Sequence, residues 1–207
     1  IELNNEVTKR KDNGFFNLEK DQESLKVYLE EIHDKMIYFD DEIERLHYLV
    51  DNHFYFDVFE KYSEAELREI TEFAKSIHFR FASYMSASKF YKDYALKTND
   101  KRQFLEDYNQ HVAIVALYLA NGDMKQAKQF ISAMVEQRYQ PATPTFLNAG
   151  RARRGELVSC FLLEVDDSLN SINFIDSTAK QLSKIGGGVA INLSKLRARG
   201  EAIKGIK

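Results

Sequence analysis

Residues 157–193 read LVSCFLLEVDDSLNSINFIDSTAKQLSKIGGGVAINL, and the order of signals within them sets the fold class. The apolar run 157–165, bounded by Gly155 and by Asp166-Asp167, has the length and continuity of a strand buried on both faces. Asp167-Ser168 then offers a helix cap, and Leu169, Ile172, Ile175, Ala179 and Leu182 recur at helical spacing on what is predicted to be the inner side of a helix ending near Lys184. Gly186-Gly187-Gly188 stops that helix, and 189–193 resumes as a second strand. Strand, helix, strand is the unit of a parallel sheet.

Upstream the pattern changes. Only Gly14 and Gly122 precede position 141, whereas Pro141, Pro144 and seven of the nine glycines follow it. This places a boundary near 140, with a helical domain at 1–140 and an α/β segment at 141–207. In 21–33, Leu25, Tyr28, Leu29 and Ile32 make an amphipathic stripe, and 40–62 repeats it until the aromatic run 54–59, which is a candidate break. Ser63 with Glu66 is a capping box opening a long helical segment through Ile77, Phe81 and Tyr84. Asn121-Gly122-Asp123 separates helices 107–121 and 123–138 by a left-handed stop and a new cap, a helical hairpin. Phe15, Phe16, Phe54, Phe56, Phe79 and Phe81 read as core packing.

Composition narrows the function classes. A chain of 207 residues, 44% hydrophobic and 29% charged, has enough apolar surface for a core without disulfides, and no apolar run approaches a membrane span. The first ten residues lack a secretory apolar stretch and the single cysteine has no intrachain partner, which implies a reducing, cytoplasmic setting. A net charge of −3 argues against non-specific nucleic-acid binding. The charge is uneven: 19 Lys/Arg against 26 Asp/Glu in 1–150, and 10 against 6 in 151–207.

Few residues offer chemistry. Cys160 reads either as a small core residue or as a redox thiol or nucleophile. All five histidines lie in the helical part without a ligand-spaced partner, so no metal site is expected. The glycine triplet lacks the spacing of a P-loop or dinucleotide fold, and reads as a helix stop or as backbone closely approached by a ligand. Residues 141–145, PATPT, form a stiff, extended stretch with two hydroxyls. Asp167, Arg197 and Arg199 read as a cap and a solvated basic face, or as partners for ribose hydroxyls and phosphates.

Together, PATPTFLNAG (141–150), LVSCFLLEVDDSLNSI (157–172) and KIGGGVAINLSKLRARG (184–200) resemble the large catalytic subunit of class I ribonucleotide reductase, and most closely its class Ib form. The stretches DDEIERLHYLVDNHFYFDVF (40–59) and RFASYMSASKFYKDYALKT (80–98) resemble its N-terminal helical domain. The resemblance implies an all-helical domain followed by the first strand-helix-strand unit of a ten-stranded α/β barrel, incomplete here. It further implies reduction of ribonucleoside diphosphates to 2′-deoxy forms by radical chemistry, with a redox-active cysteine pair. By motif match Cys160 corresponds to one member of that pair. Thr143, Ser159, Cys160 and Gly188 correspond to substrate-binding positions, and Asp167 and Arg197 to the specificity site for a deoxynucleoside triphosphate or ATP effector.

The same resemblance implies a radical supplied by a metal-containing small (beta) subunit, a homodimer of large subunits and a glutaredoxin- or thioredoxin-like reductant. It implies no cofactor or metal bound in this chain, and no membrane or nucleic-acid partner. The radical cysteine and the second cysteine of the pair lie beyond Lys207 in the family, so the chain alone is expected to be inactive. The lack of an initiator Met and the end at Gly205-Ile206-Lys207 suggest a truncated polypeptide. No counterpart of the family's ATP-cone domain is evident. The rival reading is a non-enzymatic helical interaction module with a Gly-rich structural end.

Overall fold

The computed structural model describes residues 18–202 except Arg154. Phe15 and Phe16 lie outside the described residues. The chain forms two compact units, 1–155 and 156–207.

The first unit is helical: α1 (Leu18–His33), α2 (Glu42–Asp51), a 3-10 turn (Val58–Glu60), α3 (Glu64–Ser76), α4 (Tyr84–Lys89), a π-helical turn (Phe90–Tyr94), α5 (Tyr108–Ala120), α6 (Met124–Val135) and α7 (Thr143–Asn148). Helix α5 organises it. Its sequence YNQHVAIVALYLA is apolar around nearly its whole circumference, as a central helix requires. Val112, Ile114, Val115 and Leu117 are almost completely buried, as are Leu67 and Ile70 of α3 and Ile131 and Met134 of α6. An Asp107–Gln110 capping box starts α5, and Asn121, at φ 46°, ends it. Asp123 accepts from the Gln126 amide and opens α6, so the predicted hairpin is present. Tyr62 fastens the turn by donating to the Leu117 carbonyl at 2.9 Å while accepting from the Gly122 amide at 2.7 Å.

Two predicted helices end early, each for a visible reason. The 40–62 stripe stops at Asp51, where His53 adopts a left-handed φ of 58° and the Phe54 and Tyr55 amides both donate to the Leu49 carbonyl. The chain then turns so that Tyr55 enters the core. The Ser63–Glu66 box does open α3, but that helix ends at Ser76. The Asn109 side-chain amide donates to the Ala74 and Ile77 carbonyls at 2.5 and 3.0 Å, and Phe79 leaves the helix line to stack on Tyr108. Residues 141–145 also differ from expectation. They are not simply extended, because α7 begins at Thr143 with Pro144 in its first turn, where a missing amide hydrogen is harmless.

The second unit comprises β1 (Cys160–Glu164), α8 (Leu169–Lys184) and β2 (Gly188–Asn192). The strands pair in parallel, as predicted, in the register Cys160↔Gly188, Leu162↔Ala190 and Glu164↔Asn192. The expectation of burial on both faces is corrected. Exposure alternates along β1, with Phe161 and Leu163 half-buried and Cys160, Leu162 and Glu164 exposed, because α8 covers one face. The helix stripe is also narrower than expected: Ile175, Ala179 and Leu182 are half-buried, while Leu169 is 71% exposed. Among the described residues no helix is long and apolar enough to cross a membrane.

Candidate functional site

The period-two alternation of β1 and β2 places their side chains in two sets. Phe161 and Leu163 with Val189 and Ile191 share the α8 face; Cys160 and Leu162 share the opposite face with Gly188 and Ala190. Cys160 is a free, exposed thiol on that second face, beside its register partner Gly188. The Gly188 amide donates to the Ser159 carbonyl at 2.6 Å, which ties the Ser159 backbone to the strand position beside Cys160.

The glycine triplet divides its roles. Gly186 turns the chain out of α8 at φ +89°, a left-handed conformation that favours glycine. Gly187 sits where a Cβ would come within 2.5 Å of the Phe161 ring and 2.8 Å of the Leu182 carbonyl. Gly188 is less constrained by its own chain, since a Cβ there would meet only the Ser159 carbonyl, at 3.4 Å. What a side chain at Gly188 would change is the surface beside the thiol. Accordingly, Gly187→Ala is expected to destabilise the strand-helix-strand unit by ~1–3 kcal/mol through overpacking. Faster proteolysis of the unit than in Gly188→Ala would bear this out, and equal resistance of the two variants would contradict it.

Asp167 and Arg197 also meet, Nε donating to the carboxylate at 2.7 Å. Both side chains are about a third exposed, 36% for Arg197 and 33% for Asp167. The capping role expected of Asp167-Ser168 falls to Ser168, which accepts from the Ser171 amide at 3.2 Å. Nearby Lys195 bridges Glu164 and Asp166 at 3.1 and 3.2 Å. Thr143 belongs to the first unit, at the start of α7, where its hydroxyl lies 3.4 Å from that of Tyr94. Among the described residues no group of three or more His, Cys, Asp or Glu is placed to hold a metal ion.

One arrangement was not legible in the sequence. Glu106, fully buried ahead of α5, accepts from Arg151 Nη2 at 2.5 Å and from the Leu96 amide at 2.7 Å, and also from the Tyr55 hydroxyl. Its Oε1 lies 2.9 Å from His111 Nδ1, and the other ring nitrogen of His111 lies 2.8 Å from the Phe146 carbonyl of α7. Burial alone would raise the Glu106 carboxyl, but the Arg151 guanidinium, His111 and the hydrogen bonds hold it well below the carboxylate range. Burial pushes the Tyr55 phenol far up, so it remains a neutral donor. This network fixes α7, and with it Thr143, to the core. Its residues are scattered along the chain without a shared period, and the only local hint is an acidic residue preceding the Asp107 cap.

The described residues form a helical unit and a parallel α/β unit of strand, helix and strand that bears an exposed thiol on the sheet face opposite its helix. Three family models cover the chain: "Ribonucleotide reductase N-terminal" over residues 1–79, "Ribonucleotide reductase, all-alpha domain" over 80–154, and "Ribonucleotide reductase, barrel domain" over 158–207. The chain belongs to the ribonucleotide reductase family. It is 53% identical, over its whole length, to the ribonucleoside-diphosphate reductase subunit alpha of Bacillus subtilis, and covers 30% of that relative. Over 90% of its length it is 44% identical to the subunit alpha of Mycoplasma genitalium, covering 26% of it. The large subunit of vaccinia virus is 28% identical over 72% of the chain. The chain thus spans less than a third of the length of these curated relatives.

Proposed function

We propose that these residues form the front of the alpha subunit of a ribonucleoside-diphosphate reductase of the class Ib kind, an N-terminal helical domain followed by the start of the catalytic barrel. The observation that carries this reading is the pairing of Cys160 with Gly188 on the sheet face opposite α8. A thiol on a regular strand is held at a fixed height, and the absent side chain beside it leaves room for a sugar to approach. In this reading Ser159, Cys160 and Gly188 hold the ribose end of a ribonucleoside diphosphate. The reaction replaces the 2′ hydroxyl by hydrogen. The hydroxyl leaves as water, and two thiols give up two electrons and two protons as a disulfide forms between them. Cys160 is one of these thiols. The second lies outside these residues, which contain a single cysteine.

The radical that starts the chemistry is supplied by a metal-containing beta subunit. A glutaredoxin- or thioredoxin-like protein restores the dithiol, and two alpha subunits pair. Asp167 and Arg197 form the specificity site. Their ion pair is partly exposed and screened by water, hence weak, and a deoxynucleoside triphosphate or ATP can replace it by offering ribose hydroxyls to the carboxylate and phosphates to the guanidinium. Asp167→Ala in the full-length protein is therefore expected to weaken effector binding about ten-fold or more, the worth of a charge-assisted hydrogen bond, and to blunt effector-dependent substrate choice. Unchanged effector affinity and selectivity would remove Asp167 from that site. The reading as a whole is tested by turnover of Cys160→Ser.

A further inference from the structure

The buried network around Glu106 sets both nitrogens of the His111 ring against acceptors, and one ring hydrogen cannot serve two. His111 belongs to α5 and is completely buried. Its Nδ1 lies 2.9 Å from Glu106 Oε1, and its Nε2 lies 2.8 Å from the Phe146 carbonyl of α7. Neither partner brings a hydrogen, because the carboxyl is held ionised and a backbone carbonyl only accepts. Arg151 Nη2, 3.2 Å from Nδ1, is the remaining neighbour. Its two hydrogens are taken by the Tyr94 carbonyl at 3.0 Å and Glu106 Oε1 at 2.5 Å, and Arg151 Nη1 has no partner among the described residues. A neutral imidazole would therefore hold a lone pair against an oxygen at a distance normal for a charge-assisted hydrogen bond.

We propose that His111 carries hydrogen on both ring nitrogens and, as a buried cation, clasps α7 to α5, so that loss of one proton as pH rises releases α7. The groups around the ring leave this proton as the one that moves. Glu106 and Arg151 touch the ring directly, and the Tyr55 hydroxyl donates to Glu106. Arg45, paired with Glu42, and Arg151 both lie over the Tyr55 ring. Phe90 and Phe146 meet the His111 ring edge-on, and Tyr94 and Tyr108 pack on Phe146. Guanidinium groups do not titrate in proteins. Burial keeps the Tyr55 and Tyr108 phenols neutral, with Tyr108 pushed up to about 12. Within the network of Tyr55, Glu106, His111 and Arg151, the His111 proton is then the one free to leave near neutral pH.

A proton held more tightly by the folded than by the unfolded chain stabilises the fold at low pH, and that stability is lost as pH rises. This sense is opposite to that of Glu106. Asp107, which caps α5, shares it, and comparing variants that all retain Asp107 cancels its contribution.

The test uses the full-length subunit and its variants His111→Gln and His111→Asn. Glutamine keeps a donor for the Phe146 carbonyl, asparagine keeps one for Glu106, and neither titrates. Backbone hydrogen exchange of residues 143–149 is followed by mass spectrometry from mildly acidic to mildly alkaline pH, corrected for the intrinsic pH dependence of exchange. In the parent, protection is expected to fall about ten-fold or more across this range, the worth of one charged hydrogen bond, and to stay flat in both variants. No fall in the parent, or the same fall in the variants, overturns the proposal. Should neither variant fold, the parent decides alone. Exchange of the His111 ring-carbon hydrogen, whose rate reports the protonation of the ring, is expected to show a cation at neutral pH, and a neutral ring there overturns the proposal. No arm uses turnover, so the outcome is independent of the reductase reading.

Discussion

Full-length protein carrying Cys160→Ser is expected to bind ribonucleoside diphosphate with little change and to sustain no multiple turnover with a dithiol reductant. Serine keeps the size and hydrogen-bonding reach of cysteine but cannot form a disulfide, so the two-electron step loses one of its donors. Because Cys160 is exposed on the strand rather than packed in a core, the substitution leaves no cavity and its effect on stability is expected to be small, within about 0.5 kcal/mol. Loss of turnover then reports chemistry and not unfolding. Undiminished dithiol-supported turnover would mean that the thiol's position beside Gly188 has no part in the reaction.

The second large effect concerns stability. Glu106→Ala is expected to cost ~3–5 kcal/mol, because it leaves the buried Arg151 guanidinium without its counter-charge and removes the acceptor for Tyr55 and for the Leu96 amide. The contribution of this carboxylate also has a defined pH dependence. Its folded value is held below the ordinary 4.5, so its stabilisation is fully present above that pH and is lost progressively as pH falls toward the depressed folded value. Asp107 acts in the opposite sense. Burial raises it, so the stability linked to it is present below its unfolded value and lost as pH rises through the folded one. Comparing the parent with Glu106→Gln isolates the first effect: the variant's thermal midpoint should fall less steeply with acidification below about pH 4.5. Parallel acid limbs, or an alanine variant within about 1 kcal/mol of the parent, would show that the network is not a determinant of the helical unit.

The readable parts of this fold were those written in local spacing. The Ser63–Glu66 box, the Asn121-Gly122-Asp123 hinge and the strand-helix-strand order of 157–193 each involve residues within a few positions of one another, where backbone preference decides the outcome. What escaped depended on partners far along the chain. Helix α3 stops where Asn109 takes its last carbonyls, α2 stops so that Tyr55 can reach Glu106, and Glu106 is held by Arg151, 45 residues downstream. In sequence Pro144 stiffens an extended stretch, yet its fixed φ equally suits the first turn of a helix.

The candidate site was legible to a different degree. Cys160 taken alone read as well for a core residue, and motif order supplied the choice; the register with Gly188 and the exposed face give that choice a geometry. The sequence offers Asp167 and Ser168 alike as a cap, but Ser168 alone fills that place and the Asp167 carboxylate meets Arg197. A helix start in sequence announces that a cap exists without saying which of two adjacent acceptors turns inward.

We propose that the Cys160 sulfur gives up electrons to the sugar. The most direct test is a single turnover of the full-length protein without added reductant, followed by acid quench, alkylation of free thiols and mass-spectrometric mapping. The account predicts that the Cys160 peptide is recovered disulfide-linked to a second cysteine, in proportion to the deoxynucleotide formed. Product formed at the same yield with Cys160 recovered wholly as the alkylated thiol would contradict it.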